Sequence, residues 1–443
     1  MKNITVKTLS KCLPLFFILF LFLGYKSEVT NEIPEIDLTG LPSNVINKIV
    51  IDNQGIKWIA TDQGLVSFDG THWKTYANST WINHPILDVS FDEMSNKQAI
   101  WAATFEGSIK GTIVGYSLTA SESYRKTANQ LLCDTIWSVA SDMNNAKFFG
   151  TPKGISIFKN SIWTSYQGDW GRTTDNFLIT NPITAIATAK NGWIYAATRG
   201  GGVSRFKFIA NALTGTDAVT GATKYFQPWA GGLRSDNVNT VVVVNDTCQW
   251  YGTDKGASFH SSHQTKSDWT PYSNASTSNG LVSDTVYAIA QDALGDTWFG
   301  THRGVSMMKN NVWTNYTTKD GLIGSKVNTL AIDIDGSVWF GTDLGLSHLN
   351  KGIWTSYTTG ISGIEATKYA SVKIWMNAAK QLNCNLDESW TAPFIQITDI
   401  SGRLIVEKKV SNKFIVNLSN FNHGCYMVII KENKKVITRK IVL

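Results

Sequence analysis

One short pattern recurs along this chain of 443 residues and constrains its fold more than any other feature. In its clearest copies, residues 296–316 and 337–357, the pattern reads Trp-Phe-Gly-Thr-x-x-Gly and ends in Trp-x-x-Tyr. Seven copies follow one another at steps of 43, 47, 47, 55, 48 and 41 residues. Their opening aromatics are Trp58, Trp101, Phe148, Tyr195, Trp250, Trp298 and Trp339. Repeats of this length predict the blades of a propeller.

Each unit has the pattern of four short strands. A buried apolar run such as residues 286–290 follows a Gly-Leu loop, and an Asp-x-x-Gly turn leads to the aromatic strand. A hairpin ending in Gly then leads to a third strand, and Trp-x-x-Tyr marks the fourth. Long helical periodicity is absent. We therefore predict an all-β fold, a seven-bladed β-propeller followed by a small C-terminal β-sandwich.

A single blade cannot bury both of its faces, so the blades must cover one another in a ring. Each blade is contiguous in sequence, which predicts closure by packing between the first and the last blade. Ten of the 17 tryptophans occupy repeat positions, where packing is their default role. Trp81, Trp170 and Trp229 lie outside these positions, and a carbohydrate platform made of them is an alternative to simple surface exposure.

The repeats over residues 41–357 resemble the two-component regulator propeller repeat. The resemblance rests on the Gly-Leu opening, the Asp-turn-Gly and the Trp-aromatic-Gly-Thr-x-x-Gly core. In that family such blades often form the extracytoplasmic sensor of membrane-bound hybrid kinases. This chain shows no internal transmembrane segment, kinase or DNA-binding module, so the resemblance implies only the recognition half of such a sensor.

The N-terminus has the order of a secretory signal peptide. Lys2, Lys7 and Lys11 precede an apolar run at residues 13–23, which is shorter than the roughly 20 residues of a membrane span. We predict a signal peptide over 1–27, with a retained anchor as the alternative, and no integral membrane segment after its removal. The remaining predicted boundaries are 28–357 for the propeller, 358–371 for a linker and 372–443 for the C-terminal domain.

The tail resembles the C-terminal sorting domain of type IX secretion substrates. The matching pieces are residues 395–403 (IQITDISGR), 414–420 (FIVNLSN), 424–426 (GCY) and 435–443. The family usually opens with a Pro-Asn-Pro element after an aromatic, and residues 375–378 keep the aromatic and the Asn but lack both prolines. The resemblance implies handling by the outer-membrane secretion machinery through residues 372–443, and a secreted or cell-surface location. An accessory β-sandwich is the alternative.

Charge and cysteine content exclude several classes of partner. Residues 28–360 carry 24 basic and 28 acidic side chains, and residues 361–443 carry 12 and 6. The large domain therefore lacks the positive excess that nucleic acid requires. The cysteines show no metal-site spacing, so we predict no metal and no cofactor. Cys384 and Cys425 share one domain and could form a disulfide.

No catalytic signature of a known class is present, so geometry has to indicate the site. In a propeller, the hairpin between the second and third strands shares one face with the loop entering the next blade. That face is the mouth of the ring, and loops on a rigid scaffold often bind ligands there. The hairpins place Asp62, Glu106, Lys153, Arg199, Lys255, His302, Arg303 and Asp343 at the mouth. Asn44, His84, Asp236, Asn237 and Asp284 lie nearby, and each of these residues could equally be a solvated turn residue.

Arg199 and Arg303 could hold a carboxylate or a sulfate. The leading hypothesis is an exported module that binds a glycan, a peptide or a surface polymer, with no catalytic residues assigned. A secreted polysaccharide hydrolase or lyase is the second hypothesis, because it fits the predicted compartment and propeller enzymes of both kinds are known. A structural adhesion component of the cell surface is the third.

Overall fold

The structure is a computed structural model of the whole chain. It describes residues 35–36, 40–76, 84–92, 98–115, 117–126, 131–168, 178, 180–214, 225–226, 232–261, 269–359, 361–365, 373–376, 380–386, 390–399, 403–421, 425–432 and 435–442. The predicted signal peptide and Trp81, Trp170 and Trp229 lie outside these residues. Every regular element in this part of the chain is a β-strand, which confirms the all-β class.

Seven antiparallel sheets follow one another along the described residues up to position 365, and we call them blades 1 to 7. The innermost strands are β2 (Ile46–Ile51), β6 (Ile86–Phe91), β10 (Ser138–Ser141), β14 (Ile183–Thr188), β19 (Val238–Val243), β23 (Val286–Gln291) and β27 (Val327–Ile332). The second strands are β3 (Lys57–Thr61), β7 (Ala99–Thr104), β11 (Lys147–Thr151), β15 (Trp193–Thr198), β20 (Gln249–Thr253), β24 (Thr297–Thr301) and β28 (Val338–Thr342).

The third strands are β4 (Gly64–Phe68), β8 (Gly107–Val114), β12 (Gly154–Lys159), β16 (Val203–Ile209), β21 (Gly256–His260), β25 (Gly304–Lys309) and β29 (Leu346–Asn350). The fourth strands are β5 (Trp73–Tyr76), β9 (Ser117–Tyr124), β13 (Ile162–Tyr166), β17 (Ala212–Thr214), β22 (Trp269–Tyr272), β26 (Val312–Tyr316) and β30 (Ile353–Thr358). Three further strands extend blades 1, 4 and 7: β1 (Glu35–Ile36) pairs with β5, β18 (Tyr225–Phe226) with β16, and β31 (Ile361–Glu365) with β30.

The second strands form the core of each blade, and all their residues are buried. The seven repeat aromatics lie in these strands, and each is at least nine-tenths buried. The Trp-x-x-Tyr of the fourth strand joins neighbouring blades. Trp354 of blade 7 meets Tyr316 of blade 6 edge to face, with ring centroids 5.7 Å apart. Trp313 makes the same contact with Tyr272 at 5.8 Å, so the motif is explained by packing.

Blade 1 packs against blade 7 through the same kinds of contact that join other neighbouring blades. Trp73 meets Tyr357 edge to face at 5.4 Å. The backbone nitrogen of Ile49 donates to Thr329 Oγ1 at 3.3 Å, as that of Val139 in blade 3 donates to Asp88 Oδ2 of blade 2 at 2.9 Å. The described strands therefore form a closed ring, and closure is by non-covalent packing.

A buried ion pair is also repeated at the closure. Lys57 Nζ of blade 1 lies 2.8 Å from Asp333 Oδ2 of blade 7, and Lys147 Nζ of blade 3 lies 3.0 Å from Asp92 Oδ2 of blade 2. In both pairs the lysine opens the second strand and the aspartate follows the inner strand of the preceding blade. The ring thus has no special latch among these contacts.

The C-terminal strands form a β-sandwich, as predicted. One sheet has the order β32 (Lys373–Met376), β33 (Gln381–Asn385), β36 (Lys413–Asn417). The other has the order β35 (Leu404–Lys409), β34 (Phe394–Asp399), β37 (Cys425–Glu432), β38 (Lys435–Val442). Residues from both sheets share one hydrophobic core, which includes Leu382, Trp390 and Ile395.

Two details could not be read from the sequence in this region. Strand β31 lies within the segment predicted as a linker, and in the structure it adds an outer strand to blade 7. Cys384 is buried and carries a free thiol, and burial raises its pKa to about 12. The side chain of Cys425 lies outside the described residues.

Candidate functional site

The mouth is built from a repeated local turn between the second and third strands. In blade 1, Thr61 Oγ1 donates to the carbonyl oxygen of Gly64 at 2.8 Å and accepts a hydrogen bond from the backbone nitrogen of Gln63 at 3.1 Å. The equivalent threonine makes the same two bonds in other blades, for example Thr301 of blade 6. The Thr-x-x-Gly motif therefore fixes the backbone of the hairpin and presents the two residues between Thr and Gly to the mouth.

Blade 4 has a longer hairpin, which places Arg199 differently. The backbone nitrogen of Arg199 donates to the carbonyl oxygen of Pro182 at 3.0 Å. The backbone nitrogens of Gly200 and Gly202 donate to the carbonyl oxygen of Asp236, at 3.0 and 2.9 Å. The neighbouring blade thus holds this loop, and the exposed Arg199 side chain reaches the centre of the mouth.

A cavity of about 340 Å³ lies at the centre of the mouth. Its lining residues are Trp137, Thr184, Arg199, Asn239, Tyr287, Lys326 and Asn328. It adjoins a central channel space of about 200 Å³ to which all seven inner strands or their entry residues contribute. The cavity is concave, partly aromatic and bounded by a few polar groups, which is the usual character of a small-ligand site.

The cavity is lined largely by one structural position, the second residue of each inner strand or its equivalent. We call these the ring residues: Asn47, Leu87, Trp137, Thr184, Asn239, Tyr287 and Asn328. Four of them bridge to the next blade. Asn47, Asn239 and Asn328 donate through Nδ2 to the carbonyl oxygens of Ile86, Val286 and Ile46, at 2.9, 3.0 and 3.1 Å, and Thr184 Oγ1 donates to that of Val238.

These hydrogen bonds fix the orientation of the asparagine amides. A carbonyl oxygen can only accept, so the amide nitrogen must face the next blade. The amide oxygens of Asn239 and Asn328 are then the acceptors left for a ligand in the cavity. The ring residues therefore serve two purposes, since they join the blades and supply hydrogen-bond acceptors to the mouth.

Two ring residues are half-buried aromatics, and each lies near a cation. The Arg199 guanidinium carbon is 5.7 Å from the ring centroid of Trp137. Lys326 Nζ is 5.4 Å from the ring centroid of Tyr287. Tyr287 Oη also lies 3.5 Å from His302 Nδ1. Aromatic faces and cations therefore border the same cavity, within the distance at which they attract each other.

The residues predicted from the sequence reach this cavity to different extents. Arg199 lines it, and His302 touches it through Tyr287. Asp62 accepts a hydrogen bond from Asn47 Nδ2 at 2.9 Å. Glu106 pairs with Arg125 at 2.9 Å and with His84 at 3.6 Å around a separate cavity of about 210 Å³.

The remaining predicted residues lie on the hairpins and loops around the mouth and do not line the central cavity: Lys153, Asp236, Lys255, Asp284, Arg303 and Asp343. Two neighbours have structural partners. Asn44 Oδ1 accepts from the backbone nitrogen of Thr359 at 2.7 Å, and Asn237 Nδ2 donates to Asp254 Oδ2 at 2.9 Å. Asp284 Oδ1 accepts from the backbone nitrogen of Asn274 at 2.6 Å.

Burial changes the acidity of two groups at the mouth. It raises the pKa of the Asp236 carboxyl above its usual range, and the nearby charge of Lys255 opposes this shift. Burial also raises the pKa of the Tyr287 hydroxyl above its usual range. Within the part of the chain that the structure describes, no group of three or more His, Cys, Asp or Glu residues is placed to hold a metal ion.

Sequence reasoning missed six of the seven lining residues: Trp137, Thr184, Asn239, Tyr287, Lys326 and Asn328. The signal was present for all of them except Lys326, because the others stand at one aligned position, which reads Asn, Leu, Trp, Thr, Asn, Tyr and Asn in the seven units. This position lies inside a run interpreted as a buried apolar strand. Polar and aromatic residues at alternate positions of such a run indicate a face directed into the central channel.

Two protein families match segments of this chain, one in the propeller and one in the C-terminal domain. Residues 280–303 and 321–343, in blades 6 and 7, match the two-component regulator propeller. Residues 377–443 match the secretion system C-terminal sorting domain. The chain is an exported repeat propeller. Its sorting domain marks a secreted or cell-surface protein. Among the described residues, none forms a helix of the length and apolar character that a membrane crossing requires.

Solved structures of other proteins share the fold of this propeller. The extracellular domain of the hybrid two-component system BT3049 from B. thetaiotaomicron aligns with a TM-score of 0.56 and 16% identity, over 92% of this chain and 56% of that chain. PorZ of Porphyromonas gingivalis, an essential surface component of the type IX secretion system, aligns with a TM-score of 0.51 and 16% identity, over 92% and 60%. This chain thus spans little more than half of each. No curated protein matches it in sequence.

Proposed function

We propose that this protein is an exported recognition module that binds an extracellular glycan in the central cavity of the mouth. The observation that carries the proposal is the pair of half-buried aromatics, Trp137 and Tyr287, in one cavity with amide acceptors. Aromatic faces can pack against the C–H faces of a sugar ring, and the oxygens of Asn239 and Asn328 can accept hydrogen bonds from its hydroxyls. A glycan meets both demands.

The proposal assigns binding to this cavity and no bond cleavage. Glycosidic hydrolysis generally requires two carboxyl groups flanking the scissile bond. The residues lining the cavity within the described chain include no carboxylate. Export and the sorting domain support a ligand outside the cell, and the blade framework supports a rigid site.

Replacing Trp137 by alanine should weaken glycan binding at least about tenfold, because a central aromatic anchor contributes about 1.4 kcal/mol or more. Binding would be measured by calorimetry with the best oligosaccharide from an array of neutral and uronic-acid oligosaccharides. The matched control is Phe105→Ala, which removes an exposed aromatic from the hairpin of blade 2 at the same face, outside the cavity.

The control should bind as the unmodified protein does, and both variants should keep their unfolding temperature within a few degrees. Unchanged binding by the folded Trp137 variant would refute the site. Binding to peptides and to no glycan would replace the glycan by a peptide ligand, and release of reducing sugar from any oligosaccharide would indicate an enzyme.

A further inference from the structure

The central cavity holds positive charge without a matching negative charge. Arg199 and Lys326 line it, and no aspartate or glutamate does within the described residues. Neither cation forms an ion pair with a described carboxylate: the ion pairs found near the mouth join Lys48 to Asp88 and Glu106 to Arg125 and His84. Among the charged and aromatic groups that the structure describes at the mouth, these cations contact the faces of Trp137 and Tyr287.

The acidic residues around the mouth are mostly engaged elsewhere. Asp62 accepts from Asn47 at 2.9 Å, and Asp254 accepts from Asn237 at 2.9 Å. Asp284 accepts a backbone hydrogen bond from Asn274. These carboxylates keep their charge, but they lie on the hairpins and loops around the mouth and none of them lines the cavity with the two cations. A negatively charged group in the cavity would therefore meet an attractive field focused by the surrounding walls.

We infer that the ligand is an acidic saccharide, whose carboxylate or sulfate groups bind between Arg199 and Lys326. This inference rests on the proposed function and specifies the chemistry of its glycan. The cavity combines aromatic faces, two cations and amide oxygens that only accept. A ligand that satisfies all three has an apolar ring face, negative charge and hydroxyl donors. Charge-assisted hydrogen bonds from the guanidinium of Arg199 and the ammonium of Lys326 would supply much of the preference for a charged over an uncharged saccharide.

The test compares three ligands by calorimetry with the mature full chain. They are a linear tetrasaccharide of uronic acid, the same tetrasaccharide as its uncharged methyl ester, and a tetrasaccharide of neutral sugar units that carries sulfate groups. The uronate or the sulfated sugar should bind at least about tenfold more tightly than the uncharged ester, since a hydrogen bond to a charged group contributes about 1.5–3 kcal/mol. Preference for one of the two charged sugars distinguishes the carboxylate from the sulfate.

The variant Arg199→Gln/Lys326→Gln should lose this preference, so that the affinity ratio of charged to uncharged sugar falls to about one. Each single substitution should lower the ratio about threefold, which keeps the test valid if the double variant does not fold. The control is Lys190→Gln, an exposed lysine in blade 4 at the opposite end of β14 and β15 from Arg199. It should keep the full preference.

The outcomes separate this inference from the proposed function. Equal binding of the uronate, the ester and the sulfated sugar by the unmodified protein would overturn the acidic ligand and leave glycan binding standing. An equal loss of preference in Lys190→Gln would show that general surface charge is responsible and would also overturn the inference. Binding of no sugar in the set or on the array would overturn both.

Discussion

Replacing Gly341 by valine should lower the free energy of unfolding by about 3 kcal/mol, the upper end of what overpacking a core usually costs. A Cβ atom at Gly341 would lie 2.5 Å from Ile46 Cγ2 and 2.6 Å from Thr329 Cγ2. Ile46 belongs to blade 1 and Gly341 to blade 7, and both Ile46 and Thr329 are buried, so neither can move away cheaply. Urea unfolding followed by tryptophan fluorescence would measure the loss.

Two controls show whether this effect comes from contact between blades. Gly300→Val should cost a similar amount, because its Cβ would lie 2.8 Å from Val327 Cγ1 at the interface of blades 6 and 7. Adding Ile46→Ala to Gly341→Val should recover at least about 1 kcal/mol relative to the sum of the two single effects, because the smaller side chain makes room. If Gly341→Val cost less than about 0.5 kcal/mol, blades 7 and 1 would not pack as described.

Replacing Lys57 by methionine should destabilise the propeller by about 3 kcal/mol. The side chains of Lys57 and Asp333 are only 8% and 10% exposed. Removing one partner of a buried ion pair leaves the other charge buried without compensation, which typically costs about 3–5 kcal/mol. Asp333 would keep hydrogen bonds from Trp339 Nε1 at 3.2 Å and from the backbone nitrogen of Ile334, so the lower end of that range is expected. Equilibrium denaturation would measure the change.

Two other lysine variants provide comparisons for the stability loss expected of Lys57→Met. Lys147→Met breaks the equivalent pair with Asp92 between blades 3 and 2 and should cost about as much. Lys309→Met removes a pair with Asp296 in which the lysine is 52% exposed, and solvent screening leaves such exposed pairs little effect on stability, so this variant should unfold almost as the unmodified protein does. A Lys57 variant that behaves like the Lys309 variant would show that the closing pair is solvated.

The repeat predicted the fold well because its signals are local. The Thr-x-x-Gly turn forms hydrogen bonds within four residues, as between Thr61 and Gly64. The alternation of strand and turn residues in each unit therefore indicates the blade directly. The buried aromatic column could be predicted too, since Trp58, Trp250 and their equivalents recur at fixed places and a recurring large apolar residue is usually packing.

The site could be predicted only in part, because it depends on contacts that are distant in sequence. The hairpin position of Arg199 predicted it at the mouth, but its neighbour Trp137 belongs to another blade, which the sequence does not indicate. Asn328 donates to Ile46, 282 residues away, and a single sequence gives no sign of that pairing. Similarly, Asp62 looked like a solvated ligand candidate, although its carboxylate is engaged by Asn47.

The most direct measurement of the closed ring is a double-mutant cycle between Lys57 in the first blade and Asp333 in the last, using Lys57→Met, Asp333→Asn and both together. Chemical denaturation of the four proteins gives the coupling free energy of the two side chains. If the ring is closed by this contact, the coupling free energy between Lys57 and Asp333 should be about 2 kcal/mol. A coupling indistinguishable from zero would contradict the buried contact that closes the ring between the first and the last blade.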